Sequence, residues 1–413
     1  MKKIVVNGGR RLSGEIRASG SKNAALPLIF ASMLARGRSV LLNVPRIGDV
    51  LVALDIMSEL GAEINFTKNR LVIDTEHMRY APPSPALISK IRASTYLIGA
   101  SLVRFGRFLL SDFGGCSFSL RPIDLHIKSA ISLGAKRVGN TLVADGLSGA
   151  KIELEKPSVG ASINTLIMAA GAKGVTEIRG FAKEPHVLSV IDFLRAMGAD
   201  ITLTDQVITV KSAPLSSAEF SVIGDMIEAG TYVTFALITD GKIKVTGIDP
   251  TELSAFISAL SDLGYTPETG ADFISVNAKD HKQKAKAPSH IIADPYPGFP
   301  TDLQPIMAPL LAHNEGGKIT DNVWQGRLGY LDSLAPFGLD FSRDISSAKI
   351  EKSGFSPAIT VAPDLRGGAA ALAAALSAKG TSEIHSPDII LRGYENIIEK
   401  LTSLGADVKL INL

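Results

Sequence analysis

Residues Met57–Ile64 read MSELGAEI: the end of an apolar helix, then Leu60-Gly61-Ala62, then the start of a strand. The same phrase returns five times. AISLGAKRV ends at Val138 and LRAMGADI runs from Leu194 to Ile201. SALSDLGYTP ends at Pro267, LAPFGLDF covers Leu334 to Phe341, and LTSLGADVKL begins at Leu401. The shared glycines are Gly61, Gly134, Gly198, Gly264, Gly338 and Gly405, spaced 73, 64, 66, 74 and 67 residues apart. A near-constant period of this kind marks one structural unit copied along the chain.

Each copy has a physical logic. Val50, Leu51, Leu54, Met57 and Leu60 fall at helical spacing and give one apolar stripe. Gly61 stands where a helix end needs a left-handed residue. EINF and RLVI follow as strands joined by a tight turn at TKN, and a second helix lies upstream from Ala24. Three further segments are nearly all apolar: PSVGASINTLIMAAGAKG, AGTYVTFALITDG and LRGGAAALAAALSAKG. A helix apolar on every face belongs inside, with other elements around it. The expected class is therefore α/β: a two-domain inside-out α/β barrel of six repeated units, helices inside and sheets outside. Three units fall to each domain. Terminal strands can be exchanged, so residues 1–21 are expected with 224–413 in one domain, and residues 22–223 in the other. AKDHKQKAKAPSH around Lys282 reads as a solvated loop, and APPSPA at Ala81 to Ala86 as a turn-rich connector.

Composition narrows the function. The 413 residues are 46% hydrophobic and 20% charged, as in a folded globular protein. The net charge is +2 and no basic block suits a nucleic acid. One cysteine excludes an internal disulfide and any multi-cysteine metal site. The longest charge-free stretch, Pro157 to Ala172, is too short and too rich in Gly and Ser to span a bilayer. MKKIVVNGG lacks the apolar core of a secretory signal, so a cytoplasmic protein is expected.

Several segments carry candidate chemistry. Cys116 lies in DFGGCSFSLRPIDLH, after Gly114 and Gly115 and before Arg121, Asp124 and His126. Paired glycines suit a lid, and a nearby arginine can activate a thiol or grip an anion. A buried, inert cysteine is the other reading. Lys22 and Asn23 stand at a helix start in ASGSKNAALP, where free N–H groups attract anions. The spacing is not that of a P-loop. Arg92, Arg327, Arg366 and Arg392 sit in turns or helix starts beside small residues. Singly each reads as a surface or structural arginine. Together they suggest an anionic substrate. Asp302 in PGFPTDLQ reads either as a helix cap or as a carboxylate able to take a hydroxyl proton.

These motifs, SGSKNAALP, GGCxxxxRPxDLH, SVGAS, EAGTY, PTDLQ, DLRGG and RGYE, give the chain a resemblance that spans essentially its whole length. It resembles the UDP-N-acetylglucosamine 1-carboxyvinyltransferases, an enolpyruvyl transferase family acting at the opening of peptidoglycan precursor synthesis. The resemblance implies phosphoenolpyruvate and UDP-N-acetylglucosamine as substrates, with neither cofactor nor metal. It implies that Lys22, Arg92, Arg121 and Arg392, helped by Arg366, bind phosphoenolpyruvate. Cys116 matches the loop cysteine associated with proton transfer and adduct formation. Asp302 matches the carboxylate beside the sugar 3-hydroxyl, and Asn23 and Arg327 match residues near the reacting centre. Arg121, Pro122, Ile123, Asp124 and Leu125, with Ser158, Val159, Gly160, Val323 and Trp324, match the nucleotide-binding surfaces. His126 and Lys156 match positions near the diphosphate. A monomer is expected, since one chain supplies both sides of the cleft. The chain departs from the family where EPE becomes Glu184-Pro185-His186, DRIE becomes Asp225-Met226-Ile227-Glu228, and FENRF becomes WQGRLGY. The loop DFGGC also lacks the proline that often precedes its glycines. A paralogue using another nucleotide or a shikimate-like acceptor stays open on that basis. So does a non-catalytic nucleotide-sugar-binding protein.

Overall fold

The structure, a computed structural model, describes residues 2–114, 122–280 and 289–412. The expectations for Cys116, Arg121 and the loop around Lys282 lie outside the described residues. The chain forms two compact units, one of Met1–Ser19 with Gly224–Leu413 and one of Gly20–Ile223.

The first unit holds three four-stranded sheets. In spatial order they are Ile359–Val361, Gly380–His385, Lys2–Gly8 and Asp407–Asn412; then Glu268–Thr269, Phe273–Asn277, Lys242–Thr246 and Ser13–Arg17; then Ser289–Ala293, Gly317–Asp321, Ser347–Ile350 and Phe341–Arg343. Each sheet has one parallel pair at an edge and antiparallel pairs elsewhere. The second unit repeats the plan. Two of its sheets, around Arg38–Leu42 and Val175–Arg179, have four strands. The third, around Thr141–Val143, has three among the described residues. A parallel pair needs a crossover. Helix Gln304–His313 supplies one between Ser289–Ala293 and Gly317–Asp321, and Leu365–Ser377 one between Ile359–Val361 and Gly380–His385.

These two and four further helices form the centres of the two units. We number them α1 (Lys22–Ala31), α2 (Leu97–Phe105), α3 (Val159–Ala170), α4 (Met226–Ile238), α5 (Gln304–His313) and α6 (Leu365–Ser377). Every residue of α4 is buried, as is every residue of α6 but its last, Ser377. In the first unit α4, α5 and α6 pack on one another; in the second, α2 packs on both α1 and α3. The strands outside them alternate buried and exposed positions, as in Lys242–Thr246, so each sheet turns one face to solvent. The inside-out arrangement is thus the observed one. A detail of the repeat emerges: α1 and α5 each carry a proline at their sixth residue, Pro27 and Pro309.

The six spaced glycines share one geometry. Their φ angles are 86, 99, 105, 88, 95 and 97° from Gly61 to Gly405. In each case the next residue donates its N–H five positions back: Ala62 to Met57, Ala135 to Ala130, Ala199 to Leu194, Tyr265 to Leu260, Leu339 to Leu334 and Ala406 to Leu401. That is the bond that closes a Schellman helix end. Gly134 has nothing within 4 Å of an added Cβ, so backbone conformation and not crowding selects glycine there.

Candidate active site

In the unit Gly20–Ile223, Ser21 caps α1 by accepting from the Ala24 N–H at 3.3 Å. Lys22 is then the first helical residue and Asn23 the second. Lys22 is not solvent-exposed as a helix-start lysine usually is. Its Nζ lies 3.1 Å from Asp49 Oδ2, with the Lys22 side chain 15% exposed. Asp49 lies in the first turn of the helix Gly48–Glu59, and sequence reasoning did not single it out.

Arg92 begins the 3-10 helix Arg92–Tyr96, against which α1 and α3 pack. His126 belongs to the helix Asp124–Ser132, just after Pro122 and Ile123, and is buried with Leu125. Its ring meets the start of α3. Ser158 caps that helix by accepting from the Ala161 N–H, Val159 and Gly160 follow, and a Cβ on Gly160 would stand 3.0 Å from His126 Cε1. Burial and the Arg92 charge push the His126 pKa down to about 4, against a weaker pull from Asp124. Lys156 lies exposed two residues before the Ser158 cap. His186, the departure from the family pattern, is buried in the first turn of the helix Pro185–Ala196.

In the unit carrying Gly224–Leu413, Asp302 lies in a turn before α5. It does not cap that helix: the residue at the cap is Leu303, with no side-chain bond. Asp302 instead faces two cations. Oδ1 lies 3.3 Å from Arg327 Nη2, and Oδ2 lies 3.2 Å from Arg366 Nη2. Both arginine side chains are at most 4% exposed, so the surface reading of these two is corrected. Burial disfavours the Arg366 charge, but Tyr394, Asp302 and Asp225 outweigh it and raise its pKa. Its guanidinium carbon sits 5.2 Å from the centre of the Tyr394 ring. Asp364 fixes the first turn of α6 by accepting from the Arg366 and Gly367 N–H groups. Gly368 lies against Ile390 and Gly393 against Leu365. The segment bearing Arg392 therefore rests on the turn that bears Arg366.

Val323 and Trp324 are held by Asp321, whose Oδ1 accepts both of their N–H groups at 2.9 and 2.8 Å. Its Oδ2 takes the Thr301 hydroxyl at 2.6 Å, next to Asp302. Sequence reasoning passed over Asp321, although an Asp two residues before an apolar pair is an Asx-turn signal. It also passed over Lys400. That ammonium donates to Glu228 Oε1 at 2.6 Å and to Ser19 Oγ at 2.7 Å, while the Ser19 N–H reaches Glu228 Oε2 at 2.7 Å. Asp225 caps α4 beside this cluster, and Met226 occupies the place of the family's arginine. Among the described residues no group of three or more His, Cys, Asp or Glu could hold a metal.

A basic residue thus stands at the start of a central helix in each unit and meets a carboxylate there: Lys22 on α1 with Asp49, and Arg366 on α6 with Asp302. The fold, six repeated units with helices inside and sheets outside, is that of the enolpyruvyl transferases. Residues 6–401 match the family of EPSP synthase (3-phosphoshikimate 1-carboxyvinyltransferase). The chain belongs to the UDP-N-acetylglucosamine 1-carboxyvinyltransferases within it. It is 41% identical to UDP-N-acetylglucosamine 1-carboxyvinyltransferase 1 of Streptococcus agalactiae, covering 100% of both chains. It is 39% identical to enzyme 3 of Caldanaerobacter subterraneus, covering 99% of each. Its fold matches that of the enolpyruvyl transferase NikO from Streptomyces tendae with a TM-score of 0.88, at 24% identity over 100% of this chain and 99% of that one.

Proposed function

We propose that the protein transfers the enolpyruvyl group of phosphoenolpyruvate to the 3-hydroxyl of UDP-N-acetylglucosamine, releasing phosphate. The observation that carries this is full-length identity of 41% to an enzyme named for that activity. Phosphoenolpyruvate is bound through Lys22, Arg92, Arg121, Arg366 and Arg392, whose charges offset those of its phosphate and carboxylate. Cys116 delivers a proton to the terminal methylene. The sugar oxygen attacks the adjacent carbon as Asp302 takes the hydroxyl proton, giving a tetrahedral intermediate. Loss of phosphate and of one methyl proton restores the double bond. Asn23 and Arg327 act near the reacting centre, and the segments Arg121–His126, Ser158–Gly160 and Val323–Trp324 hold the nucleotide, with Lys156 near the diphosphate.

The Asp302 geometry supports this role with one refinement. A carboxylate held by two guanidinium groups is a weak base. Phosphoenolpyruvate occupying Arg366 relaxes that hold, so the base is freed when the co-substrate is present. The step is an early one in peptidoglycan precursor synthesis, and a cytoplasmic site of action belongs to the same proposal. No described helix is long and apolar enough to cross a membrane. His186 and Met226 favour keeping one rival, a transferase with another acceptor. Phosphate release from phosphoenolpyruvate is the test, with UDP-N-acetylglucosamine, other nucleotide sugars and shikimate 3-phosphate compared. Release with the first alone supports the assignment. Release only with another acceptor, or none at all, overturns it.

A further inference from the structure

Helix α3 is apolar over most of its length, yet Asn164 sits fully buried within it. Its amide is used at both ends. Oδ1 accepts the Gly99 N–H at 2.9 Å, and Nδ2 donates to the Thr95 carbonyl at 3.0 Å. A backbone N–H can only donate and a carbonyl can only accept, so these two groups decide which way the amide points. The second Nδ2 hydrogen then meets His126 Nδ1, 2.7 Å away. That ring nitrogen must accept. A neutral imidazole that accepts at Nδ1 carries its proton on Nε2.

The Nε2 edge is where the ring meets the start of α3. A Cβ on Gly160 would stand 3.2 Å from Nε2, so only glycine lets the helix come so close without displacing the ring. The leading N–H groups of α3 have no acceptor within the helix. A ring N–H and a helix N-terminus therefore share one place, and one helix supplies both the N-terminus and the amide that orients the ring. Helix α3 carries no titratable side chain. Among the described residues, the charged groups acting on the ring are Arg92 on the neighbouring 3-10 helix and Asp124 on its own.

We propose that Asn164 is a positioning residue that holds His126 as the neutral tautomer protonated at Nε2, so that the ring donates one hydrogen bond to a phosphate oxygen of the nucleotide sugar. This rests on the substrate assignment above. A neutral donor avoids burying an imidazolium. It also leaves nucleotide binding insensitive to pH near neutrality, because the ring takes up a second proton only near pH 4.

Ring spectra of the 15N-labelled full-length protein test it, with His126 assigned by His126→Gln. The wild type is expected to show a proton on Nε2 and none on Nδ1, unchanged from pH 6 to 8. Its Nε2 signal is expected to move on adding UDP-N-acetylglucosamine. An imidazolium or an Nδ1-protonated ring at pH 7, or an Nε2 signal unmoved by saturating sugar, overturns the proposal. Asn164→Asp keeps the shape but cannot donate to Nδ1. It draws the proton to that nitrogen and raises the ring pKa. The KM for the nucleotide sugar is then expected to rise about tenfold or more at pH 8 and less at pH 6, with the KM for phosphoenolpyruvate little changed. A folded Asn164→Asp enzyme with wild-type KM and ring spectrum at both pH values refutes the role. Should that variant not fold, the wild-type spectrum and its titration decide alone. Missing phosphate release with this sugar sinks the substrate assignment, and a wrong tautomer sinks the role of Asn164, so the two failures are distinct.

Discussion

Asp302 shows how one side chain is given two duties. It completes a buried pair of arginines, and it is the proposed acceptor of a proton. Asp302→Asn keeps the shape and is expected to lower kcat by about 10²- to 10⁴-fold while calorimetry shows retained nucleotide-sugar binding. Near-normal turnover would remove it as the base. Asp302→Ala leaves Arg327 and Arg366 without their carboxylate, so its melting temperature is expected below that of the Asn variant. Glu252 gives a second prediction at this scale. Burial, with the Asp249 and Asp225 charges, pushes its pKa up to about 7. The folded protein then holds a proton there that the unfolded chain releases near pH 4.5. Stability is lost as pH rises through that window. Glu252→Gln removes the loss, and denaturant titration at pH 8 is expected to show a gain of about 1–3 kcal/mol that vanishes at pH 5. An equal effect at both pH values would contradict the shift. The candidate residues were legible where chemistry and glycine coincide, as at Arg366 before Gly367. Asp49 and Lys400 were not, because their partners Lys22 and Glu228 are brought to them only by folding, whereas Asp321 carried a local Asx-turn signal toward Val323 and Trp324 that was passed over. Asn164 had a visible signal, an amide inside a mostly apolar helix, but nothing in the sequence pointed it at His126.

At the scale of elements, the helix ends carried the fold into view. Six glycines at near-equal spacing translate into six left-handed helix ends, each closed by the same backbone bond. The apolar character of α3, α4 and α6 gave the inside-out order, since no amphipathic stripe exists to lie on a surface. The fifth unit was less legible: before Gly338 the chain forms the 3-10 turns Arg327–Ser333 and Ala335–Phe337 in place of a regular helix. Two glycine substitutions separate the reasons for glycine. Gly134→Ala meets no neighbour but must hold φ at 99°, and is expected to cost about 1–2 kcal/mol in equilibrium unfolding, with Asn costing less. A neutral result would show that the helix end relaxes freely. Gly160→Ala has no such backbone strain. It crowds the His126 ring, so it is expected to raise the KM for the nucleotide sugar with stability nearly unchanged.

At the scale of the whole molecule, the chain begins in one unit, builds the other, and returns. Lys2–Gly8 is an interior strand, paired with Gly380–His385 on one side and Asp407–Asn412 on the other. Ile4 and Val6 are fully buried from it. Deleting residues 2–8 is therefore expected to expose two unpaired strand edges and the core beneath them, giving aggregated protein. A soluble, cooperatively melting deletion variant would contradict this. The same pairing imposes an order on biosynthesis. Lys2–Gly8 is made before Gly20–Ile223, yet both of its neighbours, Gly380–His385 and Asp407–Asn412, are made only after it. Everything that Gly20–Ile223 needs has emerged by then, so that unit can close on the nascent chain. Lys2–Gly8 must wait, unpaired, until those strands have been made, and its sheet is complete only when Lys2 and Asn412 come to lie side by side.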